Sequence, residues 1–186
     1  MNQTVNLPES SPGQVVPSNA NTTDAAHHAA SRTKFISFAL GDDQYGVDIM
    51  AVREIKGWSD ITHLPKQPDY VRGVLNLRGS IVPIIDLRCR FGQGLTETTP
   101  LHIVIIVQID GRQVGLIGDR VLDIVSVDAA EIQKVPRSGH VDTTDFLSGL
   151  VTHDNVMIAL IDLPNLLSAT DRKNAEHASG ERKSAA

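Results

Sequence analysis

The chain contains the same pattern of short apolar segments twice, and this repeat limits its possible folds more than any other feature. GVLNLRGSIVPIIDLRCRF, which starts at Gly73, aligns without a gap with GLVTHDNVMIALIDLPNLL, which starts at Gly149, 76 residues later. Earlier in each half, YGVDIMAVREI (45–55) aligns with VGLIGDRVLDI (114–124) at a spacing of 69. Two copies are too few for a solenoid, so they indicate two similar units that share one core. Chance similarity between β-rich segments is the alternative.

The pattern within each half is typical of β-strands. KFISFAL (34–40) leads into the turn residues Gly41-Asp42-Asp43, and IVIIVQI (103–109) leads into Asp110-Gly111, a hairpin signal. Short strands joined by such turns predict a mostly β chain built as barrels or a sandwich. The repeat then predicts two small β-barrels of five strands each around one hydrophobic core, the second centred on about residues 95–155. Helices are expected to be short, with one near the C-terminus at LPNLLSA (163–169).

Composition sets the limits of the folded part. Residues 1–33 contain no aromatic residue and only four large aliphatic ones, so we expect a disordered N-terminal tail. Residues 169–186 mix charged with small side chains and predict a second tail. The domain is therefore expected to occupy residues 34–168.

Charge and cysteine content restrict the classes of partner and compartment. The net charge is -5 and the sequence pI is about 5.7, which disfavours nucleic acid as a partner, including for an OB- or SH3-like binder. Cys89 is the one cysteine, the N-terminus lacks the pattern of a signal peptide, and no apolar run reaches the ~20 residues that span a bilayer. We expect a cytoplasmic protein without direct membrane insertion.

An enzyme is the alternative hypothesis, and Cys89 is its candidate nucleophile. His63 or His153 would act as the base, and the flanking Arg88 and Arg90 would lower the pKa of the thiol. No third orienting group or oxyanion hole is evident, so an inert thiol and a non-enzymatic protein are expected. The histidines show no metal-ligand spacing, and neither a metal nor a cofactor is predicted.

The two aspartates that match across the repeat, Asp86 and Asp162, are interpreted as structural groups. Each follows an apolar strand, and their equivalence favours capping of the following turn over acid–base chemistry.

Three stretches resemble the CheW family of chemotaxis coupling proteins: FISFALGDDQYGVDIMAVREI, VRGVLNLRGSIVPIIDLRCRF and VGLIGDRVLDIVSV. The resemblance runs from about Phe35 to Leu167, and its most specific part is Gly73–Leu87. It implies two SH3-like five-stranded barrels and a scaffold function. The implied partners are chemoreceptor cytoplasmic tips and the regulatory domain of a CheA-type histidine kinase, with array or ring assembly.

The resemblance and the local sequence together indicate two sets of contact residues. Arg78 lies in a turn that Gly79 permits, and Glu54 is the expected partner of its guanidinium group. An exposed turn-stabilising ion pair is the structural alternative. The expected receptor contacts are Val52, Glu54, Gly73, Asn76, Arg78, Gly79 and Ile103, with Val52 and Ile103 in an apolar groove. The expected kinase contacts are Ile49, Ala51, Val135 and Pro136. Gln133 and Ser138 are not assigned a kinase contact.

Overall fold

The computed structural model describes residues 32–136 and 145–166, which lie in one compact unit, Ser31–Ala186. The strands are β1 (Thr33–Leu40), β2 (Asp43–Asp48), β3 (Val52–Gly57), β4 (Val71–Leu77), β5 (Ser80–Asp86), β6 (Ile103–Ile109), β7 (Arg112–Gly118), β8 (Arg120–Val127), β9 (Leu147–His153) and β10 (Val156–Ile161). Arg32 and Thr33 apart, the predicted tails 1–33 and 169–186 lie outside the described residues.

The described helical segments are short, as predicted. They are the 3-10 turns Ile49–Ala51 and Ala129–Glu131, 3-10 residues at 145–146, the single-turn helix α1 (Leu87–Arg90), and a helical segment at 163–166, which we call α2. No helix in the described part of the chain is long and apolar enough to cross a membrane.

The strands form two five-stranded sheets, which confirms the predicted mostly β fold class. Sheet 1 has the order β8-β1-β2-β10-β9, and sheet 2 has the order β3-β6-β7-β5-β4. If β1–β5 are matched with β6–β10 through the repeat, both sheets have the same order, 3-1-2-5-4. The internal repeat of the sequence is therefore a repeat of structure.

The sheets do not follow the two halves of the sequence. Sheet 1 combines β1 and β2 of the first half with β8, β9 and β10 of the second, and sheet 2 combines β3, β4 and β5 with β6 and β7. The expected second unit, centred on about 95–155, therefore coincides with neither sheet. The reason is that β10 pairs with β2, and β7 pairs with β5, in parallel, so each half completes the sheet of the other.

A glycine lies at the same place in each of these parallel seams. Gly46 pairs with Leu160, and its repeat counterpart Gly115 pairs with Ile84. A Cβ on Gly46 would lie 2.9 Å from Leu160 Cδ2, and one on Gly115 would lie 2.5 Å from Ile84 Cδ1. The side chain of the partner strand fills the space above each glycine, so the seams depend on the missing Cβ.

Three clusters of buried side chains hold the sheets together. The largest takes residues from both sheets and both helices, among them Phe38, Leu116 and Leu166, which is the shared core that the repeat predicted. The other two lie within sheet 1 and sheet 2. In β6, Ile105 contributes to the shared core and Ile106 to the core of sheet 2. Burial on both faces explains why the first five residues of β6, Ile103–Val107, are all apolar.

The matched aspartates cap the turns that follow β5 and β10, as the sequence predicted. Asp86 Oδ1 accepts the backbone N–H of Cys89, and Asp162 Oδ1 accepts that of Asn165. Asp86 also accepts from Thr96 and forms an ion pair with Arg72 at 3.0 Å. Both carboxylates therefore have structural partners.

Gly115→Ala is expected to destabilise the protein by roughly 1–3 kcal/mol, because the added methyl group overlaps Ile84 and Val104. Gly57→Ala is the matched control, since a Cβ at Gly57 meets nothing within 4 Å. Urea unfolding of both variants measures the difference. Equal stabilities would show that the seam is not closely packed.

Candidate docking surfaces

Arg78 occupies a strained, exposed position in the turn between β4 and β5. Arg78 has φ 52° and Gly79 has φ 90°, which are the two positive values of a type I′ hairpin turn. Asn76 Oδ1 accepts the backbone N–H of Gly79 at 2.9 Å and fixes the turn. A non-glycine residue in this left-handed region costs about 1 kcal/mol. The turn therefore presents a long cation at a position where glycine or asparagine would be less strained.

The Arg78 guanidinium meets Glu54 across the two edges of sheet 2. Arg78 Nη2 lies 3.0 Å from Glu54 Oε2, and the two side chains are 84% and 27% exposed. Glu54 is in the edge strand β3, whereas Arg78 follows the opposite edge strand, β4. This confirms the ion pair expected from the sequence. A pair this exposed contributes only ~0–1 kcal/mol to stability.

Two exposed aliphatic residues lie close in sequence to this pair, and they were not singled out from the sequence. Ile55 follows Glu54 in β3 and is 37% exposed, and Ile81 pairs with Asn76 in the hairpin and is 65% exposed. An alternating apolar strand does not reveal which of its residues lie at an open edge. We call the set Glu54, Ile55, Asn76, Arg78, Gly79 and Ile81 the Arg78 surface.

Gly73 is buried and has a structural role. Its φ is 143°, and a Cβ there would lie 2.3 Å from the backbone oxygen of Thr62. Thr62 and Val74 exchange two backbone hydrogen bonds at this point. The counterpart Gly149 packs in the same way against Ile132. Gly73 thus allows the backbone of Thr62 to approach β4 closely.

Val52 and Ile103 do not lie side by side. Val52 pairs with Val107 at one end of the β3–β6 ladder, and Ile103 pairs with Gly57 at the other end. Four residues along β6 correspond to about 13 Å. Both side chains are half-buried and pack against the shared core. The structure does not bring them together as the two walls of one groove.

The expected kinase contacts lie on two separate connections. Ile49 and Ala51 belong to the turn between β2 and β3 and pack against the shared core, whereas Met50 between them is 79% exposed. Met50 is the exposed apolar residue of this segment, and it was not predicted from the sequence as a contact residue. Val135 and Pro136 follow the turn Ala129–Glu131.

Of the two residues left without a kinase contact, Gln133 pairs through its backbone with Leu150. Ser138 lies outside the described residues.

The environment of Cys89 is the opposite of the one that the enzyme hypothesis requires. Burial raises the pKa of the Cys89 thiol, and the carboxylates of Asp86 and Asp69 raise it further, against the opposing effect of Arg72 and Arg90. The flanking Arg90 lowers the pKa of the thiol as expected, but burial and the two carboxylates outweigh it, so the net shift of the pKa is upward. Neither His63 nor His153 is among the groups that shift the pKa of the thiol, and His153 Nε2 lies 3.6 Å from Asp154 Oδ2. No group of three potential metal ligands occurs among the described side chains.

Arg78→Asn is expected to change the free energy of unfolding by less than about 1 kcal/mol, because the lost ion pair is exposed and asparagine tolerates a positive φ. Asn76→Ala is the comparison variant. It removes the hydrogen bond to Gly79 and should cost ~1 kcal/mol. Urea unfolding measures both changes. A loss well above that of Asn76→Ala would mean that the arginine holds the fold together.

Cys89 is expected to react slowly with iodoacetamide at pH 7, because a raised pKa leaves little thiolate. The rate should increase as the pH rises into the alkaline range. The urea-unfolded chain is the control and should react faster at every pH. Fast native alkylation at pH 7 would revive the nucleophile hypothesis.

Comparison with known proteins identifies the family. The CheW-like domain family matches residues 34–171. The chain is 38% identical over 154 residues to the chemotaxis protein CheW of Rhizobium meliloti (strain 1021), covering 82% of this chain and 99% of that protein. It is also 38% identical over 138 residues to the chemotaxis protein CheW of Klebsiella aerogenes, covering 74% and 83%.

A solved structure gives the same answer for the fold. The scaffolding protein TtCheW from Thermoanaerobacter tengcongensis matches with a TM-score of 0.65 and 37% sequence identity, covering 74% of this chain and 88% of that chain. The two five-stranded sheets fit the two SH3-like subdomains that the resemblance implied. The chain therefore belongs to the family of CheW-like domains.

Proposed function

We propose that this chain is a chemotaxis adaptor that couples the cytoplasmic tips of chemoreceptors to a CheA-type histidine kinase. It acts by binding, without a chemical step, in the cytoplasm at receptor arrays. Support comes from the relatives named as chemotaxis proteins and from the neighbour named as a scaffolding protein.

The exposed, strained Arg78 is the observation that carries this proposal. Its ion pair with Glu54 is worth less than ~1 kcal/mol, and its backbone conformation costs about as much. The arginine therefore gives the fold little or no net stability. Strained positions of this kind are concentrated at functional sites, so a contact with a partner explains the residue better than stability does.

The Arg78 surface fits a receptor helix that carries a carboxylate next to apolar anchors. The guanidinium group, 84% exposed, keeps donors available for a second carboxylate while Glu54 holds it in place. Ile55 and Ile81 supply apolar area on either side. An amphipathic helix that lies on such a surface is bound through side chains at i, i+3 and i+4. Val52 and Ile103, which are half-buried, contribute at most the edges of the contact.

The proposed kinase contacts lie on other segments of the chain. Ile49, Met50 and Ala51 precede β3, and Val135 and Pro136 follow β8. The two sets share no residue with the Arg78 surface, so a receptor and a kinase can be bound at the same time. Simultaneous binding allows weak contacts to add up in an array or ring.

Arg78→Glu is expected to weaken receptor binding by roughly tenfold or more. The new glutamate would repel the receptor carboxylate that the arginine is proposed to bind. Receptor tips immobilised on beads, with the retained chain measured across a concentration series, give the affinity. Lys34→Glu makes the same charge change on sheet 1 and serves as the matched control, with binding expected to stay unchanged.

The double variant Glu54→Arg, Arg78→Glu separates a contact role from a structural one. The exchange restores an ion pair within the chain but leaves the partner facing the wrong charge. Binding should therefore stay weak. Full recovery of receptor binding would show that only the internal pair matters, and unchanged binding of Arg78→Glu would remove Arg78 from the site.

A further inference from the structure

Sheet 1 carries a groove that the proposed function does not use. It lies between the edge strand β8 and the β9–β10 hairpin, and its volume is about 350 Å³. Three aliphatic residues that line it are exposed: Val121 at 39%, Leu122 at 37% and Val156 at 40%. Exposed aliphatic side chains that line one concave surface indicate a contact site, whereas scattered ones do not.

The internal repeat relates this groove to the Arg78 surface with one change of charge. Asp123 is the counterpart of Glu54, and Asp154 is the counterpart of Arg78. Both aspartates line the groove, and Asp154 is 91% exposed. Where sheet 2 has an ion pair between its two edges, the equivalent positions of sheet 1 are two carboxylates. Arg120 and His153 also line the groove, so its net charge with neutral histidine is -1.

The groove also differs from its counterpart in which of its positions are aliphatic. Leu122 stands where the first half has Arg53, and Val156 stands where it has Ser80. The lining polar groups of β1 and β2, Ser37 and Gln44, are uncharged. Arg120 and His153, which also line the groove, stand where the first half has Ala51 and Leu77, so the aliphatic positions have moved to Leu122 and Val156.

We infer that the groove binds a protein segment in which a lysine or arginine lies between aliphatic side chains. The cation is placed between Asp123 and Asp154, where charge-assisted hydrogen bonds to two carboxylates hold it. The aliphatic side chains pack on Val121, Leu122 and Val156. The segment belongs to another protein and has the opposite charge to the one that fits the Arg78 surface.

The ends of the chain do not have this chemistry. Residues 1–31 contain neither lysine nor arginine, and residues 167–186 contain one large aliphatic residue, Leu167. The inference does not depend on the receptor assignment, because the groove and the Arg78 surface have no residue in common.

The test uses two synthetic helical peptides of about 15 residues. One carries leucines along one face with lysines beside them, and its matched control carries glutamates in place of the lysines. Each is titrated into the isotope-labelled full chain, and amide shifts are followed by NMR. The variants are Asp123→Asn with Asp154→Asn, and Glu54→Gln as the matched control in the first half.

The lysine peptide is expected to shift the amides of β8, β9 and β10. The double variant should bind it roughly three- to tenfold more weakly, while Glu54→Gln binds it as the unaltered chain does. Equal binding of both peptides, shifts elsewhere, or no effect of the double variant would overturn the inference. So would the absence of binding at millimolar peptide.

A second copy of the chain is the competing occupant. Sedimentation of the chain alone over a range of concentrations tests it. Self-association that Asp154→Asn abolishes would assign the groove to a second copy and overturn the proposal, and a species of constant size that still binds the lysine peptide supports it.

Discussion

The exchange of strands between the two halves is the constraint on which the rest of the structure depends. Each sheet is completed by a parallel pair, β2 with β10 and β5 with β7, and Gly46 and Gly115 allow both pairs to pack closely. A chain cut between the halves would leave each sheet without strands that lie in its middle. Both halves must therefore fold together, and the shared core is the consequence.

This arrangement buries the central strands of each sheet. The side chains at the edges of the two sheets are therefore free to differ from each other. In sheet 2 the Glu54–Arg78 pair joins the edge strand β3 to the β4–β5 hairpin. At the equivalent place in sheet 1, Asp123 and Asp154 line a groove that also exposes aliphatic side chains. One fold, present twice, thus offers two surfaces of different charge, which is how a small adaptor can discriminate between partners. Central strands have no such freedom, because both of their faces are packed.

Much of the fold could be predicted from the sequence, because the repeat, the turn residues and the aspartate caps act locally. The Arg78–Glu54 pair was also predicted, because a guanidinium group matches a carboxylate and the family resemblance places both residues near one surface. Which strands belong to which sheet could not be predicted. The same strand pattern and the same repeat are compatible with sheets built from one half each and with sheets that exchange strands between the halves. Four strand pairs that cross between the halves decide between the two: the parallel pairs β2–β10 and β5–β7 and the antiparallel pairs β1–β8 and β3–β6. The alternation of apolar and polar residues does not specify which strands of the two halves pair with each other.

The exposure of individual residues was the second property that could not be predicted from the sequence. Gly73 resembles a surface residue in its motif but is covered by the backbone of Thr62, whereas Met50 and Ile81 resemble core residues but lie open. Val52 and Ile103 are near one another in the expected site but at opposite ends of one strand pair. Each difference depends on where a sheet ends, which is a property of the tertiary fold.

The central claim is that the chain bridges a receptor and a kinase through separate surfaces. The most direct measurement is the autophosphorylation rate of a CheA-type kinase with receptor-containing vesicles, over a wide range of chain concentrations. A bridge predicts a rate that rises, passes through a maximum and falls, because excess chain occupies receptor and kinase separately. A rate that does not respond to the chain, or that responds equally without receptors, would contradict the account.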